Sequence, residues 1–366
     1  MLNEYSYTLP AEFESALTDA VRDWNDADNI DRIWRKDATV WTGSDEWKWL
    51  GWLDIVDREL EDLGKYREFA ADAEKFDDIV LLGMGGSSLC PEVLSLVFAK
   101  QRFHVLDSTV PAQVAALEAK LDLANTLFIV SSKSGSTLEP NCFKQYFFER
   151  VARTIGAEAA GSRFVTITDP GSKMEKVANA DKFRRIFFGD PEIGGRFSAM
   201  SVFGLAPGAA MGLEIGQFVE NAREMVMACR ESDAAANPGA LLGLILGVGH
   251  KLGRDKLVII ASPSKKPVGA WLEQLVAESL GKNGVSIIPI DRKGSIEPII
   301  FGNERVFVYF RSKTNFDPAQ DAMVEKVRLA GQAVVTIESE DRLNLGQEFF
   351  RWEFATAVAG AVMGIN

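Results

Sequence analysis

Residues 77–94 read DDIVLLGMGGSSLCPEVL, and this stretch indicates the fold class. An apolar run at 79–82 is followed by a glycine-rich turn at 83–88 and by a helical pattern that begins near Pro91. A strand that is apolar at every position is typical of a parallel sheet covered by helices on both faces. The stretch therefore predicts the strand, turn and helix of an α/β domain.

The same alternation recurs along the chain. Helical patterns lie at 91–100, 112–121 and 139–155. The other apolar runs that we interpret as buried strands lie at 103–106, 127–130, 164–167, 257–261, 286–290, 305–310 and 333–337. This order predicts an α/β fold of two three-layer αβα domains with parallel sheets, which we place at 76–195 and 196–366.

Residues 1–75 are predicted to form an N-terminal helical appendage, because apolar residues recur at helical spacing between Ala11 and Trp24. Five tryptophans follow, and they could form a platform on which a sugar stacks. We interpret them instead as the apolar side with which the appendage docks on a domain. They are Trp34, Trp41, Trp47, Trp49 and Trp52.

Composition excludes several classes of function. The chain has 366 residues, 47% of them hydrophobic, which is enough for about two domains with a sizeable core. Its net charge is −12, so it has no overall field for nucleic acid or for an anionic membrane. The longest apolar stretch, residues 240–249, is about half of what spans a bilayer. We therefore expect neither a nucleic-acid partner nor a membrane partner.

Histidine and cysteine are scarce, with two His and three Cys in the whole chain. The cysteines form no spaced cluster, so we expect reduced thiols and no metal site. His104 falls within a predicted strand and His250 at the end of an apolar helix, and both are interpreted as structural. The N-terminal residues MLNEY show no secretory pattern, which favours a cytoplasmic location.

Two loops at predicted strand ends carry the chemistry of a phosphate site. The turn at 83–88 brings backbone amides to a helix start, although such turns also serve tight packing. The loop at 131–137, SSKSGST, places five hydroxyls and one ammonium before a helix. A helix cap needs one hydroxyl, whereas a phosphate monoester accepts several hydrogen bonds and a cation. We therefore favour phosphate binding by this loop.

Four motifs together resemble the glucose-6-phosphate isomerase family, whose domains are sugar isomerase (SIS) domains. They are GMGGS at 83–87, SKSGSTLE at 132–139, GGRFS at 194–198 and QLVAESLGK at 274–282. The resemblance runs from about Arg32 to the end of the chain. It is closest to the isomerase half of bifunctional transaldolase/glucose-6-phosphate isomerases, and the chain is too short for the transaldolase barrel.

The resemblance implies the substrate, a hexose 6-phosphate, and the residues of the site. The first two loops would hold the phosphate and the sugar, Arg196 would face the reacting carbons, Gln274 would line the site and Glu278 would be the catalytic base. The substrate-binding residues of the two loops are Gly86, Ser87, Ser132, Lys133, Ser134, Gly135, Ser136 and Thr137.

The residue types suit an exchange between an aldose and a ketose. A carboxylate must move a proton between C1 and C2, and a fixed guanidinium stabilises the enediolate without a metal or another cofactor. Gln274 precedes Glu278 by four residues, so the two side chains share one face of a helix. Outside the set of motifs, Arg196 would be a surface charge and Glu278 the partner of a helical salt bridge.

The family opens the sugar ring with a histidine and a late lysine, yet residues 291–303 contain no histidine. Residues 348–364 predict an apolar helix that stops at the end of the chain. We therefore expect the native chain to continue past Asn366. Two other interpretations stay open at this point: a non-catalytic module that binds a phosphosugar, and an isomerase of another hexose phosphate such as mannose 6-phosphate. The family also predicts a homodimer.

Overall fold

The computed structural model describes residues 2–291 and 302–366. Its strands are β1 (Glu4–Thr8), β2 (Asp78–Leu82), β3 (Phe103–Leu106), β4 (Thr126–Ser131), β5 (Phe164–Thr168), β6 (Arg185–Phe188), β7 (Lys256–Ala261), β8 (Ile288–Asp291), β9 (Arg305–Ser312) and β10 (Ala333–Ser339). Most of residues 291–303, where we looked for a histidine, lie outside the described residues.

The helices alternate with these strands, as an α/β fold requires. They are α1 (Ala11–Asp26), α2 (Asn29–Trp34), α3 (Ile55–Glu61), α4 (Gly64–Ala73), α5 (Leu89–Val97), α6 (Pro111–Glu118), α7 (Leu138–Ile155), α8 (Ala157–Ala160), α9 (Lys173–Ala180), α10 (Val202–Ala210), α11 (Ile215–Ala228), α12 (Pro238–Lys251), α13 (Val268–Leu280), α14 (Pro318–Leu329) and α15 (Leu345–Met363).

The first sheet has five parallel strands in the order β3-β2-β4-β5-β6. On one face, Val80 of β2 and Phe128 of β4 join a core cluster with Phe147 of α7. Ile79 and Leu81 alternate with Val80 along β2, so their side chains point to the other face, and they are also buried. Both faces of the sheet are therefore covered. The carboxyl ends of β2, β4, β5 and β6 lie at one edge, and the two candidate loops begin there.

The second sheet repeats this order as β8-β7-β9-β10, and β1 occupies the fifth position beside β10. The strands β7 to β10 run parallel, whereas β1 pairs with β10 in the antiparallel direction. We predicted two parallel sheets, and this prediction is wrong for the edge strand β1 of the second sheet. Residues 4–8 were missed because they are mostly exposed and polar, as suits an edge strand. The predicted strand at 286–290 begins two residues later.

The contacts divide the chain into two units, one of residues 54–217 and one of the chain up to Leu53 together with Phe218–Asn366. This division differs from the predicted ranges 1–75, 76–195 and 196–366. Residues 196–217 belong with the first sheet because α10 packs on α4 and α5. The N-terminal segment belongs with the second sheet because α1 packs on α12 and β1 extends the sheet.

The tryptophan-rich segment packs mainly on α15. Trp34 and Trp52 stack or tilt against Phe350 and Phe354, and the indole N–H of Trp41 donates to the carbonyl of Ala357 at 2.8 Å. This confirms the docking interpretation for three of the five indoles. The other two, Trp47 and Trp49, are about half exposed. Within the described ranges, no helix combines the length and the apolar character needed to cross a bilayer.

Candidate active site

The first loop turns sharply between β2 and α5. Gly85 has a φ of +54°, a left-handed conformation that favours glycine, and residues 85–87 form one turn of 3-10 helix. A Cβ atom on Gly86 would collide with the carbonyl of Gly195 and would lie 2.9 Å from the backbone nitrogen of Arg196. The structure therefore brings the first loop and the GGR motif into backbone contact, which only a glycine at position 86 allows.

The second loop connects β4 with α7. The side chains of Ser131 and Ser132 are buried, and within the described part of the chain their hydroxyl oxygens have no hydrogen-bond partner. Buried polar atoms are nearly always paired in proteins, so two adjacent unpaired hydroxyls mark a place where a polar ligand or water fits. The hydroxyls of Ser134 and Ser136 lie 2.8 Å apart on the exposed side of the same loop.

Capping does not account for the hydroxyls of this loop. Thr137 occupies the N-cap position of α7 but makes no side-chain capping hydrogen bond. The amide side chain of Asn141 instead donates to the carbonyls of Gly135 and Thr137 and so fixes the loop from inside the helix. The Thr137 side chain therefore satisfies none of the first N–H groups of α7.

Lys133 lies where we predicted a cation, but its ammonium group is engaged by the protein. It forms an ion pair with the carboxylate of Asp169 and donates to the backbone carbonyl of Asp190 at 2.9 Å. Burial raises the pKa of Asp169, although the neighbouring Lys133 acts in the opposite direction. Lys133 thus ties the loop after β4 to the segments after β5 and β6, and its charge is largely compensated there.

Arg196 lies in a single turn of 3-10 helix, residues Gly195–Phe197, beyond the end of β6. Its guanidinium carbon lies 5.8 Å from the ring centre of Phe197, and the side chain is partly exposed. The hydroxyl of Ser198 donates to the carbonyl of Gly195 at 2.6 Å and closes the turn. The turn holds its arginine at the same sheet edge as the first two loops.

The fourth motif lies on α13 in the other unit. The side-chain amide of Gln274 donates to a carboxylate oxygen of Glu278 at 3.2 Å, as the four-residue spacing predicted. Glu278 is exposed and Gln274 is partly buried. The helix is held by its opposite face, where Leu272 and Val276 are buried. The two polar side chains therefore form one unit on the solvent side of α13.

Two aspartates of the first sheet were missed by sequence reasoning. Asp169 follows β5 directly, Asp190 follows β6 after one glycine, and each aspartate precedes a proline. An aspartate immediately after a parallel strand faces the edge where ligands bind. The repeated Asp-Pro pair at two neighbouring strand ends was the signal that could have identified them.

The two histidines lie away from these motifs along the chain. The ring nitrogen Nε2 of His104 lies 2.8 Å from the carboxylate of Asp78, across two paired strands. His250 stands in the last turn of α12, where a cation suits the helix dipole. Cys90 and Cys229 are buried and Cys142 is exposed, all as free thiols. Over the described residues, no group of three or more His, Cys, Asp or Glu side chains could hold a metal ion.

Comparison with known proteins places these loops in a family. The family model of phosphoglucose isomerase matches residues 62–306. Glucose-6-phosphate isomerase of Methanocaldococcus jannaschii is 31% identical over 247 residues, which is 66% of this chain. The chain spans 58% of that relative's length.

Two solved structures share the fold. A hypothetical protein from Thermus thermophilus superposes with a TM-score of 0.84 at 23% identity, over 98% of this chain and 95% of the other. A glucose-6-phosphate isomerase from Chlamydia trachomatis superposes with a TM-score of 0.71 at 22% identity, over 84% of this chain and 69% of the other. Because the matched family model covers well over half of the residues, this chain belongs to the phosphoglucose isomerase family.

Proposed function

We propose that this chain interconverts glucose 6-phosphate and fructose 6-phosphate through an enediolate. The observation that carries the proposal is the second loop, in which two buried hydroxyls lack partners among the described residues and the helix that follows has no side-chain cap. A phosphate group accepts several hydrogen bonds and prefers a helix N-terminus, so it complements both features.

The phosphate would be held by hydroxyls and amides more than by a free cation. Ser132, Ser134, Ser136 and Thr137 supply hydroxyls around the start of α7, and Ser87 adds one from the first loop. Gly86 and Gly135 let the backbone come close. Lys133 belongs to the site as the residue that fixes the loop, because its ammonium is shared between Asp169 and Asp190.

The proton transfer is assigned to Glu278. Its carboxylate would remove the C2 proton of the open-chain aldose, and the electron pair would form the C1–C2 double bond of the enediolate. The carbonyl electron pair would move to O1, which takes up the proton that leaves the O2 hydroxyl. Return of the abstracted proton to C1, as the C2 carbonyl forms, completes the ketose. The hydrogen bond from Gln274 keeps the carboxylate in one orientation. Arg196 would stabilise the negative oxygen that develops during the step, as a fixed guanidinium does best.

Deuterium exchange tests this assignment. In D2O, the parent chain should exchange the C2 proton of glucose 6-phosphate, and Glu278→Gln should lose the exchange while it still binds fructose 6-phosphate. Glu273→Gln is the matched control, since Glu273 is an exposed glutamate on the same helix. Equal exchange in Glu278→Gln and the parent would remove Glu278 as the base.

The same experiment separates the other candidate functions. A parent chain that binds fructose 6-phosphate tightly but never exchanges deuterium would be a binding module. Faster exchange with mannose 6-phosphate than with glucose 6-phosphate would assign a different hexose phosphate. We extend the proposal to a homodimer in the cytoplasm, on the family resemblance, and size-exclusion chromatography with light scattering checks the dimer.

A further inference from the structure

A chain of polar contacts leads from the surface of residues 54–217 to the GGR motif. Asp190 lies six residues before Arg196 and two residues after the end of β6, and its side chain is mostly buried. One carboxylate oxygen of Asp190 lies 2.6 Å from a guanidinium nitrogen of Arg58 in α3. The other oxygen accepts the backbone N–H of Glu192 at 2.8 Å.

The backbone of Asp190 is held as firmly as its side chain. Its carbonyl accepts from the ammonium of Lys133 at 2.9 Å and from the N–H of Ile193 at 3.2 Å. Ile193 is buried and anchors this turn. Asp190 is therefore the point where the second loop, α3 and the segment toward Arg196 meet.

Two consecutive turns join Asp190 to Arg196. Residues 190–193 form the first, and the N–H of Phe197 donates to the carbonyl of Gly194 at 3.0 Å to form the second. Gly194 and Gly195 lie between these two turns, and neither has a side chain that could fix its position by packing. The direction in which the arginine leaves the second turn thus depends on how the first turn is anchored.

We propose that Asp190, held by Arg58, is a positioning residue that sets the orientation of Arg196 toward the enediolate. The inference rests on the proposed function, because it gives Arg196 an oxyanion to stabilise. The Arg58 side chain is 45% exposed, so its ion pair is screened by solvent and contributes little to stability. Loss of this ion pair should leave the chain folded but change the orientation of Arg196. Catalysis is far more sensitive to such a change than stability is.

Asp190→Asn is the informative variant, because it removes the charge that faces Arg58 and keeps an oxygen for the Glu192 amide. We expect kcat to fall about tenfold while KM for fructose 6-phosphate changes less than twofold. The affinity for a phosphorylated five-carbon hydroxamate, a planar mimic of the enediolate, should fall about tenfold. The affinity for a hexitol 6-phosphate, which is tetrahedral at C1 and C2, should stay within twofold.

The matched control is Asp54→Asn. Asp54 forms the other ion pair of Arg58, at 2.9 Å, from the residue that precedes α3. This variant should keep kcat and both affinities within twofold. If Asp190→Asn fails to fold, Arg58→Met removes the other partner of the pair and should give the same split between the two ligands.

A double variant decides whether Asp190 acts through Arg196. In an Arg196→Met background, Asp190→Asn should change the hydroxamate affinity less than twofold. A further tenfold loss in that background, or an equal loss for the hydroxamate and the hexitol phosphate, would overturn the positioning role. Full activity of Arg196→Met alone would instead overturn the proposed function of the arginine, so the two failures are distinguishable.

Discussion

The two sheets have the same strand order, yet the corresponding loops after β4 and β9 differ in how their polar groups are satisfied. Both loops begin with serine, lysine and a hydroxyl residue: Ser132-Lys133-Ser134 after β4, and Ser312-Lys313-Thr314 just as β9 ends. Each lies between two parallel neighbours and leads into a helix. The topology alone would give both the same function.

The loop after β9 satisfies its donors and acceptors within the chain. The hydroxyl of Ser312 accepts the N–H of Asn315 at 3.0 Å, and the ammonium of Lys313 pairs with Glu4 of β1. The carboxylate of Asp317 caps α14 by accepting from Ala319 at 2.9 Å. A negative charge thus already stands at the helix start, where an anion would have to bind.

The loop after β4 differs at Ser132 and at the N-cap position of α7. Ser132 is as buried as Ser312 but, in the described chain, its hydroxyl has no partner, and Thr137 leaves α7 without a side-chain cap. The comparison predicts that binding depends on unsatisfied polar groups, while the shared strand order supplies only the sheet edge on which they lie.

The largest effect is expected from Gly86→Ala, because the added Cβ would collide with the backbone of Gly195. Displacing that backbone should lower the free energy of unfolding by about 2 to 3 kcal/mol. The isomerase activity should fall about a hundredfold, since Arg196 moves with the displaced turn. Chemical denaturation and the rate with fructose 6-phosphate measure the two effects.

Gly64→Ala is the control for this prediction. Its nearest neighbour would be the Asp62 carboxylate at 3.6 Å, an ordinary contact. It should change stability by less than about 0.5 kcal/mol and leave the rate as in the parent. Parent-like activity in Gly86→Ala would contradict the backbone contact between the first loop and the GGR motif.

Thr137→Asp should convert the open loop into a closed one. The new carboxylate would cap α7 as Asp317 caps α14, and we expect a small gain in stability. It would also stand beside the bound phosphate, and a repulsion of about 2 kcal/mol with a dianion weakens fructose 6-phosphate binding about thirtyfold. Thr137→Asn is the control, because an asparagine can cap α7 without adding a negative charge. An equal loss of affinity in both variants would show that charge is not the cause.

A third, smaller effect concerns the two lysines. Burial raises the pKa of Asp169 in the folded protein above its value of about 4 in the unfolded chain. Ionisation of this carboxylate therefore lowers the free energy of unfolding as the pH rises above about 4. Lys133 offsets this penalty through its ion pair. Lys133→Met should therefore lose about 1 to 2 kcal/mol at pH 7 and less at pH 4, where a larger fraction of Asp169 is protonated.

Lys313→Met is the corresponding change in the other loop. Its partner Glu4 is 60% exposed, so the pair is screened by solvent and its loss should leave the melting temperature nearly unchanged at both pH values. A loss in Lys133→Met that is the same at pH 4 and pH 7 would show that Asp169 is not the group that Lys133 compensates.

Much of the fold could be predicted from the sequence, because buried parallel strands are recognisable as apolar runs. Strand β3 matches its predicted bounds, and β2, β4 and β7 extend theirs by one residue at one or both ends. Strands β1 and β6 were missed: both are short edge strands with polar or charged residues, and such strands resemble loops. The division into two units was not foreseen, since packing between distant segments sets it.

The candidate site was predicted in part. Hydroxyl-rich and glycine-rich loops at strand ends were visible in the sequence, and so was the spacing of Gln274 and Glu278. The ion pair of Lys133 with Asp169 was not, because the sequence does not tell which way a long side chain turns. The roles of the individual residues stay predictions until variants are measured.

The most direct test compares Ser132→Ala with Ser312→Ala by calorimetry of fructose 6-phosphate binding and by chemical denaturation. Ser132→Ala should weaken binding about tenfold and keep the free energy of unfolding within about 0.5 kcal/mol, since its hydroxyl serves the ligand alone. Ser312→Ala should bind as the parent does and lose about 1 kcal/mol of stability, since its hydroxyl serves the loop. Unchanged affinity in Ser132→Ala, or equal losses in both variants, would contradict the account.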